Sequence, residues 1–561
     1  MTASPETKLA GVLAPLFALR TEDDLGIGDV ATLRQFIDWA GSLGFKIVQL
    51  LPINEIGGDN SPYNAISAVA LEPTTLHLAP DSPRDLTQGE FDEVAAEFDL
   101  PQLRKGPVNY ERVRALKLAL LEKAFAAFAR RGEAAEFEAF RKSEAEWLDN
   151  YTLFRALMNE NGNSEAWDQW RDEHRSMKSA REWLNTLETT DRDTIDERMR
   201  FFAYVQWIAR EQWIAVRRYA EERGVALMGD IPFGVSYYSA DVFGRPDEFA
   251  LDWFGGAPPE PYFKDDDFTQ KWGQNWGIPL YRWDVMRQSN LGWWRQRVAG
   301  VRHIFHIFRI DHVLGFYRIY AFPWRPTRNA EFLPLSQEQM LEKTGGRAPH
   351  FYPRDDETTE NAEANRRDGE EYLRVVLQES GATRVVGEDL GTVPKYVRPS
   401  LRSLEIAGFK IPQWEVYDNR VTPGSEYDRL SVATYATHDH QPIRAVWSDA
   451  TSESSPTREQ SFDTLQKIAL FSGFDFREGT EYLRDFYPAI MRALFASNSG
   501  MAIVMITDLL ARKDRFNVPG TAADSNWSQR MHLTVRELSS SPAVQRRMRM
   551  IRRLLRETGR A

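Results

Sequence analysis

The chain of 561 residues contains no cysteine. That excludes disulfides, cysteine-ligated zinc, iron–sulfur clusters and thiol catalysis. No window of 18 apolar residues occurs, and Met1 to Leu13 lacks a basic stretch followed by an apolar run. The sequence therefore reads as having no membrane span and no signal peptide, with the cytoplasm as the expected location. Positive charge is in deficit, with 70 Lys+Arg against 82 Asp+Glu and a net charge of -12. A nucleic-acid partner is not expected, because neutralising phosphates takes clustered positive charge. The Gly-rich dinucleotide turn and the phosphate-binding P-loop are both missing.

Aromatic residues, by contrast, are abundant: 17 Trp, 19 Tyr and 32 Phe. Most must fill a core. A minority of exposed rings would suit stacking on flat, hydroxyl-rich ligands such as sugars.

Six short apolar runs read as buried strands: Lys46–Leu51, Val225–Gly229, Phe305–Ile310, Arg384–Gly387, Ser431–Tyr435 and Ala502–Ile506. Helical patterns such as Val30–Leu43 and Met199–Arg223 lie between them. Buried strands alternating with amphipathic helices predict a parallel α/β fold. Polar residues follow nearly every strand: Asn54, Asp230, Asp311, Glu388, His438 with Asp439, and Asp508. A (β/α)8 TIM barrel gathers its site from many strand ends in this way, so that is the expected fold, with inserted, mainly helical subdomains.

The expected organisation is a first part of the barrel over 1–109, a helical insertion over 110–198, and the rest of the barrel over 199–561. The last part includes an aromatic loop at 250–285 and an acidic, exposed insert near 355–367. The segment Gln545–Arg560 holds seven Arg around Met548, Ile551, Leu554 and Leu555. It reads as a surface helix docked by an apolar stripe, or else as a basic arm for nucleic acid or membrane.

Three strand ends carry carboxylates. Arg309 and Asp311, two apart on one strand, would point to the same side. The guanidinium would then hold the carboxylate ionised, as a nucleophile requires, or the two form a structural ion pair. Glu388 and Asp389 follow the next strand, 77 residues after Asp311 for Glu388. Two carboxyls kept in different protonation states are the equipment of glycoside cleavage; the bland reading is an acidic turn capping a helix. His438, Asp439 and His440 end a third strand. They suit sugar hydroxyls, or a metal, although neighbours on an extended segment should point apart. Eleven aromatics, from Trp253 to Trp294, crowd into one stretch whose Gly255-Gly256 and Pro258-Pro259 pairs favour a loop.

With these motifs in view, the chain resembles the amylomaltases, or 4-α-glucanotransferases (disproportionating enzymes), of the α-amylase clan. The matching stretches are Leu25–Asp29, Ser61–Ala68, Gly229–Pro232, Gly256–Pro259, Trp276–Asp284, Arg309–His312, Gly387–Gly391, Thr437–Asp439 and Asn517–Thr521 with Asn526-Trp527. They run in family order over about residues 11–530. The resemblance implies Asp311 as nucleophile, Glu388 as general acid/base and Asp439 as the carboxylate on the sugar's 2- and 3-hydroxyls. It implies sugar contacts from Tyr63, Asp230, Arg309, His438 and Asp389. The loop bearing Gly256, Pro258, Tyr262 and Phe263, with Trp276 nearby, would cover bound glucan. The implied reaction is retaining α-1,4-glucanosyl transfer from glucan donors to glucose or maltooligosaccharide acceptors, with no cofactor and no metal. The alternatives are a hydrolase of the same clan and a non-catalytic glucan-binding protein.

Overall fold

The computed structural model describes residues 7–132, 134–259, 266–519 and 525–561. Its centre is a ring of eight parallel strands: β1 (Leu9–Leu13), β2 (Ile47–Gln49), β3 (Ala226–Pro232), β4 (Ile307–Asp311), β5 (Arg384–Gly387), β6 (Gly408–Lys410), β7 (Ser431–Ala433) and β8 (Met501–Met505). Each strand pairs with its neighbours in chain order, and β8 returns to β1. A parallel bridge between Val386 and Ala407 joins β5 to β6 and closes the ring. The fold is a (β/α)8 barrel, as its strand–helix alternation predicted.

Two strands, β1 and β6, gave no signal in the sequence. One is five residues containing Ala and Gly, the other only three residues long. Neither is a β-branched run, and both are strands because the ring needs them.

The period of two sorts the strand residues. Leu13, Ile47, Met228, Ile307, Val386, Phe409, Val432 and Ile503 meet inside the barrel. Phe308 and Ile310 face outward into a second cluster with Trp294, Phe316 and Val385. Helix Val30–Leu43 packs on the outside; Asp29 caps its first turn through Ala31 and Thr32 N–H, and Gly44 ends it in the left-handed region.

Between β2 and β3 the chain builds helices Tyr110–Arg131, Ala135–Glu160, Met177–Thr186 and Thr189–Glu222. The last is 34 residues long and runs straight across the expected boundary at 198. Buried Lys117 ties this insertion to the barrel loops, its Nζ donating to Thr74 O at 2.6 Å and Leu76 O at 2.7 Å. Gln206 does likewise, both accepting from and donating to the Leu71 backbone.

The described part of the aromatic stretch is largely strand. Phe249–Ala257 and Gln274–Tyr281 are antiparallel strands, joined by Ile319–Phe322 and His350–Tyr352 into a four-stranded sheet beside the barrel. Gly256 is there because backbones approach closely: a Cβ would sit 1.9 Å from Gln274 O. Nor is 355–367 an exposed insert. It leads into and begins helix Thr359–Ser380, with Asp356 paired to Arg318 and Asn365 fully buried. The Arg-rich segment is a helix, Pro542–Glu557, that buries Val544, Met548, Ile551, Leu554 and Leu555. Arg560 is buried behind it and donates to Phe495 O, Ser497 O, Ser499 O and Leu9 O, clamping β1 to the start of β8. Among the described residues no helix is long and apolar enough to cross a membrane.

Substituting Gly256→Ala should lower stability by about 1–3 kcal/mol, the usual cost of overpacking. Denaturant unfolding reads this as a lower midpoint. An unchanged midpoint would mean the two strands separate freely.

Candidate active site

Strand register assembles the centre. Asp230 on β3 stands opposite Arg309 on β4, Pro232 opposite Asp311, and Ile310 opposite Gly387 on β5. The residue directly after β5, Glu388, is therefore level with Asp311. Its backbone N–H donates to Ile310 O, and Val313 N–H donates to its carbonyl.

Arg309 is the hub. Its Nη1 donates to Asp230 Oδ2 at 2.7 Å and its Nη2 to Asp311 Oδ1 at 2.6 Å. Among the described residues Asp311 Oδ2 has no hydrogen-bond partner, and 31% of the Asp311 side chain is open. A nucleophile needs one such free oxygen. Glu388 lies recessed beside it. Oε2 accepts from His312 N–H at 2.8 Å and Oε1 from Leu390 N–H at 3.1 Å. Desolvation pushes its pKa up to about 7 against the opposing pull of Arg309, and the Asp311 charge adds to the rise. Burial raises Asp230 as well, with Arg309 opposing.

The third strand end departs from expectation. His438 and Asp439 do not point apart: His438 Nε2 meets Asp439 Oδ2 at 3.1 Å, because the chain turns directly after β7. Burial alone would raise the Asp439 pKa, but His438 and an Asn517 hydrogen bond outweigh it and hold the carboxylate below its usual range. The same pair raises His438 against its own burial. Asn517 Nδ2 donates to Asp439 Oδ1 at 2.6 Å, and Arg515 Nη2 to its carbonyl at 2.6 Å. Asp439 nonetheless stays 40% open.

Tyr63 bridges the two halves. Its hydroxyl donates to Asp230 Oδ2 at 2.7 Å and its ring stacks on His438 at 4.8 Å and 15°. Trp527 tilts against the same two rings at 5.8 and 5.7 Å. Trp276, 39% exposed, meets His312 edge-on at 4.8 Å, next to Asp311.

Several sequence candidates do not join this group. Asp389 is buried, and its carboxylate accepts from Phe409 N–H at 2.6 Å and Arg398 Nε at 3.0 Å, which anchors β6 instead of facing the cleft. Gly256 is buried in its strand, and Pro258 is half-buried where that strand ends, close to Gly273. Tyr262 and Phe263 lie outside the described residues. Asp508 caps helix Ile443–Ala450 through Ile443 N–H at 2.7 Å, and Asn54 donates to Ala70 O. Of the crowded aromatics, Phe254, Trp272, Tyr281, Trp283, Trp293 and Trp294 are core. Among the described residues no group of three His, Cys, Asp or Glu could hold a metal.

Asn517, Arg515, Trp527 and the His312 N–H were missed as site elements. Asn517 and Trp527 belong to matching stretches, yet nothing in their spacing says that they reach a strand end 78 residues back for Asn517.

A family described as 4-alpha-glucanotransferase matches residues 14–534 of the chain. The chain belongs to this family. The 4-alpha-glucanotransferase of Chlamydia caviae is 30% identical over 550 residues, 95% of this chain and 92% of that protein. The one from Aquifex aeolicus is 29% identical over 542 residues, 93% and 95% of the two chains. The amylomaltase from Streptococcus agalactiae, solved in complex with acarbose, superposes with a TM-score of 0.74 at 22% identity, over 99% of this chain and all of that one. The last likeness speaks for the fold. The family and the relatives speak for a 4-alpha-glucanotransferase.

Asn517→Ala should lower kcat/KM for glucan transfer about tenfold or more, the scale of one charge-assisted hydrogen bond. Thermal stability should change little. Unaltered kinetics would show that His438 alone positions Asp439.

Proposed function

We propose that Asp311, Glu388 and Asp439 carry out α-1,4-glucanosyl transfer by double displacement. One observation carries the reading. Two neighbouring carboxyls sit in opposite environments, Asp311 salt-bridged to Arg309 with one oxygen free, and Glu388 desolvated with a pKa of about 7. Such a pair separates nucleophile from acid.

In the first step Asp311 Oδ2 attacks the anomeric carbon of a bound glucan. The glycosidic C–O bond breaks, and the Glu388 proton passes to the departing O4 of the reducing-side fragment. A β-glucosyl ester on Asp311 remains. In the second step the 4-hydroxyl of an acceptor gives its proton to Glu388 and its oxygen bonds to the anomeric carbon. Asp311 leaves, and the α-linkage is restored. Asp439, held ionised by His438 and Asn517, takes the 2- and 3-hydroxyls of the reacting sugar. Asp230 and Tyr63 line the same subsite. Donors are α-1,4-glucans, and acceptors are glucose or maltooligosaccharides.

With maltotriose as sole substrate, the expected products are glucose and a ladder of longer chains. Maltose and glucose alone would identify a hydrolase instead. Asp311→Asn should abolish turnover and leave glucan binding measurable, and a turning-over variant would refute the nucleophile assignment.

The pH dependence follows from Glu388. Its raised pKa keeps the proton on below about pH 7, and the acid form is lost as pH rises through that value. kcat/KM for maltotriose should therefore fall on the basic side with a midpoint near neutrality. A rate still climbing well above neutral pH would rule out Glu388 as the acid.

A further inference from the structure

Below the carboxylates the barrel interior holds a second polar feature. Gln49 lies on β2 two residues after Ile47, so its side chain shares the inward face. It is 3% exposed, and among the described residues its amide has no hydrogen-bond partner. With Arg309, Thr434, Thr437 and His438 it lines a cavity of about 10 Å³, walled elsewhere by Phe409 and other apolar side chains. Arg309, which also lines it, carries another unsatisfied group. Its two terminal nitrogens serve Asp230 and Asp311, while its buried Nε has no partner among the described residues. A buried donor on a charged group is costly to leave unmet. A space of this size suits one water molecule, provided it finds two to four polar partners.

We propose that this cavity binds a single water, which accepts from Arg309 Nε–H and donates to Gln49 Oε1. The Thr434 hydroxyl, whose own proton goes to Ala436 O at 2.8 Å, offers the water's second proton an acceptor. Gln49 is thereby a positioning residue. Through the water it fixes the tilt of the guanidinium that in turn aims Asp311. His438 also lines the cavity, so the supports of both Asp311 and Asp439 border it. The effect on turnover rests on the function proposed above; the water itself does not.

A high-resolution crystal structure of the unaltered protein tests the site first. The expected result is an ordered water within hydrogen-bond distance of both Arg309 Nε and Gln49. A cavity without such density overturns the proposal and leaves the glucanotransferase reading untouched. Gln49→Met keeps the side-chain length and removes the acceptor. It should lower kcat about tenfold with KM held within about twofold, and Gln49→Glu, which keeps an acceptor, should recover most of kcat. A Gln49→Met enzyme with unchanged kcat would overturn the positioning role. If that variant does not fold, the density in the unaltered protein decides.

Discussion

The active centre depends on one buried cation. Arg309 lies inside the barrel with its guanidinium shared between Asp230 and Asp311. Glu388 stands at the next strand end, so three carboxyl groups surround a single positive charge. Desolvation and the neighbouring Asp311 charge raise the Glu388 pKa to about 7 against the pull of Arg309. Asp230 and Asp311 are both in contact with Arg309, whereas among the described residues Glu388 meets only backbone N–H groups. The proton therefore falls on Glu388. In the proposed mechanism the division of labour between nucleophile and acid follows from which carboxyls the arginine touches. Removing one partner of such a buried pair costs about 3–5 kcal/mol, so the arrangement has little freedom to change.

Register sets that contact pattern and the ring closure sets the register. A shift of one residue would turn Arg309 outward into the helices and bring Phe308 and Ile310 inward. The outer elements guard against such a shift. Arg560 clamps β1 and the segment before β8, Asp389 pins β6 through Phe409 N–H, and Gln206 fastens the loop that carries Tyr63. Residues that read as surface charge or as acidic site members in the sequence thus act as anchors for the strands bearing the chemistry.

The sequence disclosed what local patterning controls. Six of the strands are apolar runs bounded by polar residues, and the carboxylates follow them directly, so the barrel and its three acidic strand ends were legible. Two kinds of feature were not. Strands β1 and β6 exist through pairing with neighbours far away in sequence, and their own residues carry no strand signature. The partners of Asp439 were likewise hidden, since Asn517 and Arg515 reach it only after β8 has returned to β1. The Gly255-Gly256 pair misled for a related reason. In isolation it reads as a loop, whereas here the missing side chains let the Gln274 backbone and the Phe322 ring come close. His438 and Asp439 read as pointing apart only while the segment was taken to stay extended.

Transfer also asks for something the carboxylates cannot supply. In the proposed mechanism, water and an acceptor sugar compete for the same ester after the first displacement, and the sugar wins only if it is held in place. Most indoles of this chain are locked in cores, as their number requires. Trp276 and Trp414 are exceptions, at 39% and 52% exposed. Trp276 leans on His312, the neighbour of Asp311, and Trp414 on His440, the neighbour of Asp439, each ring pair 4.8 Å apart. Burial pushes both imidazoles down to about 4, so they are uncharged near neutrality and form uncharged backing for the indoles. Open aromatic faces thus flank the charged centre at two strand ends. A pyranose acceptor can gain from that apolar surface, and water gains nothing from it.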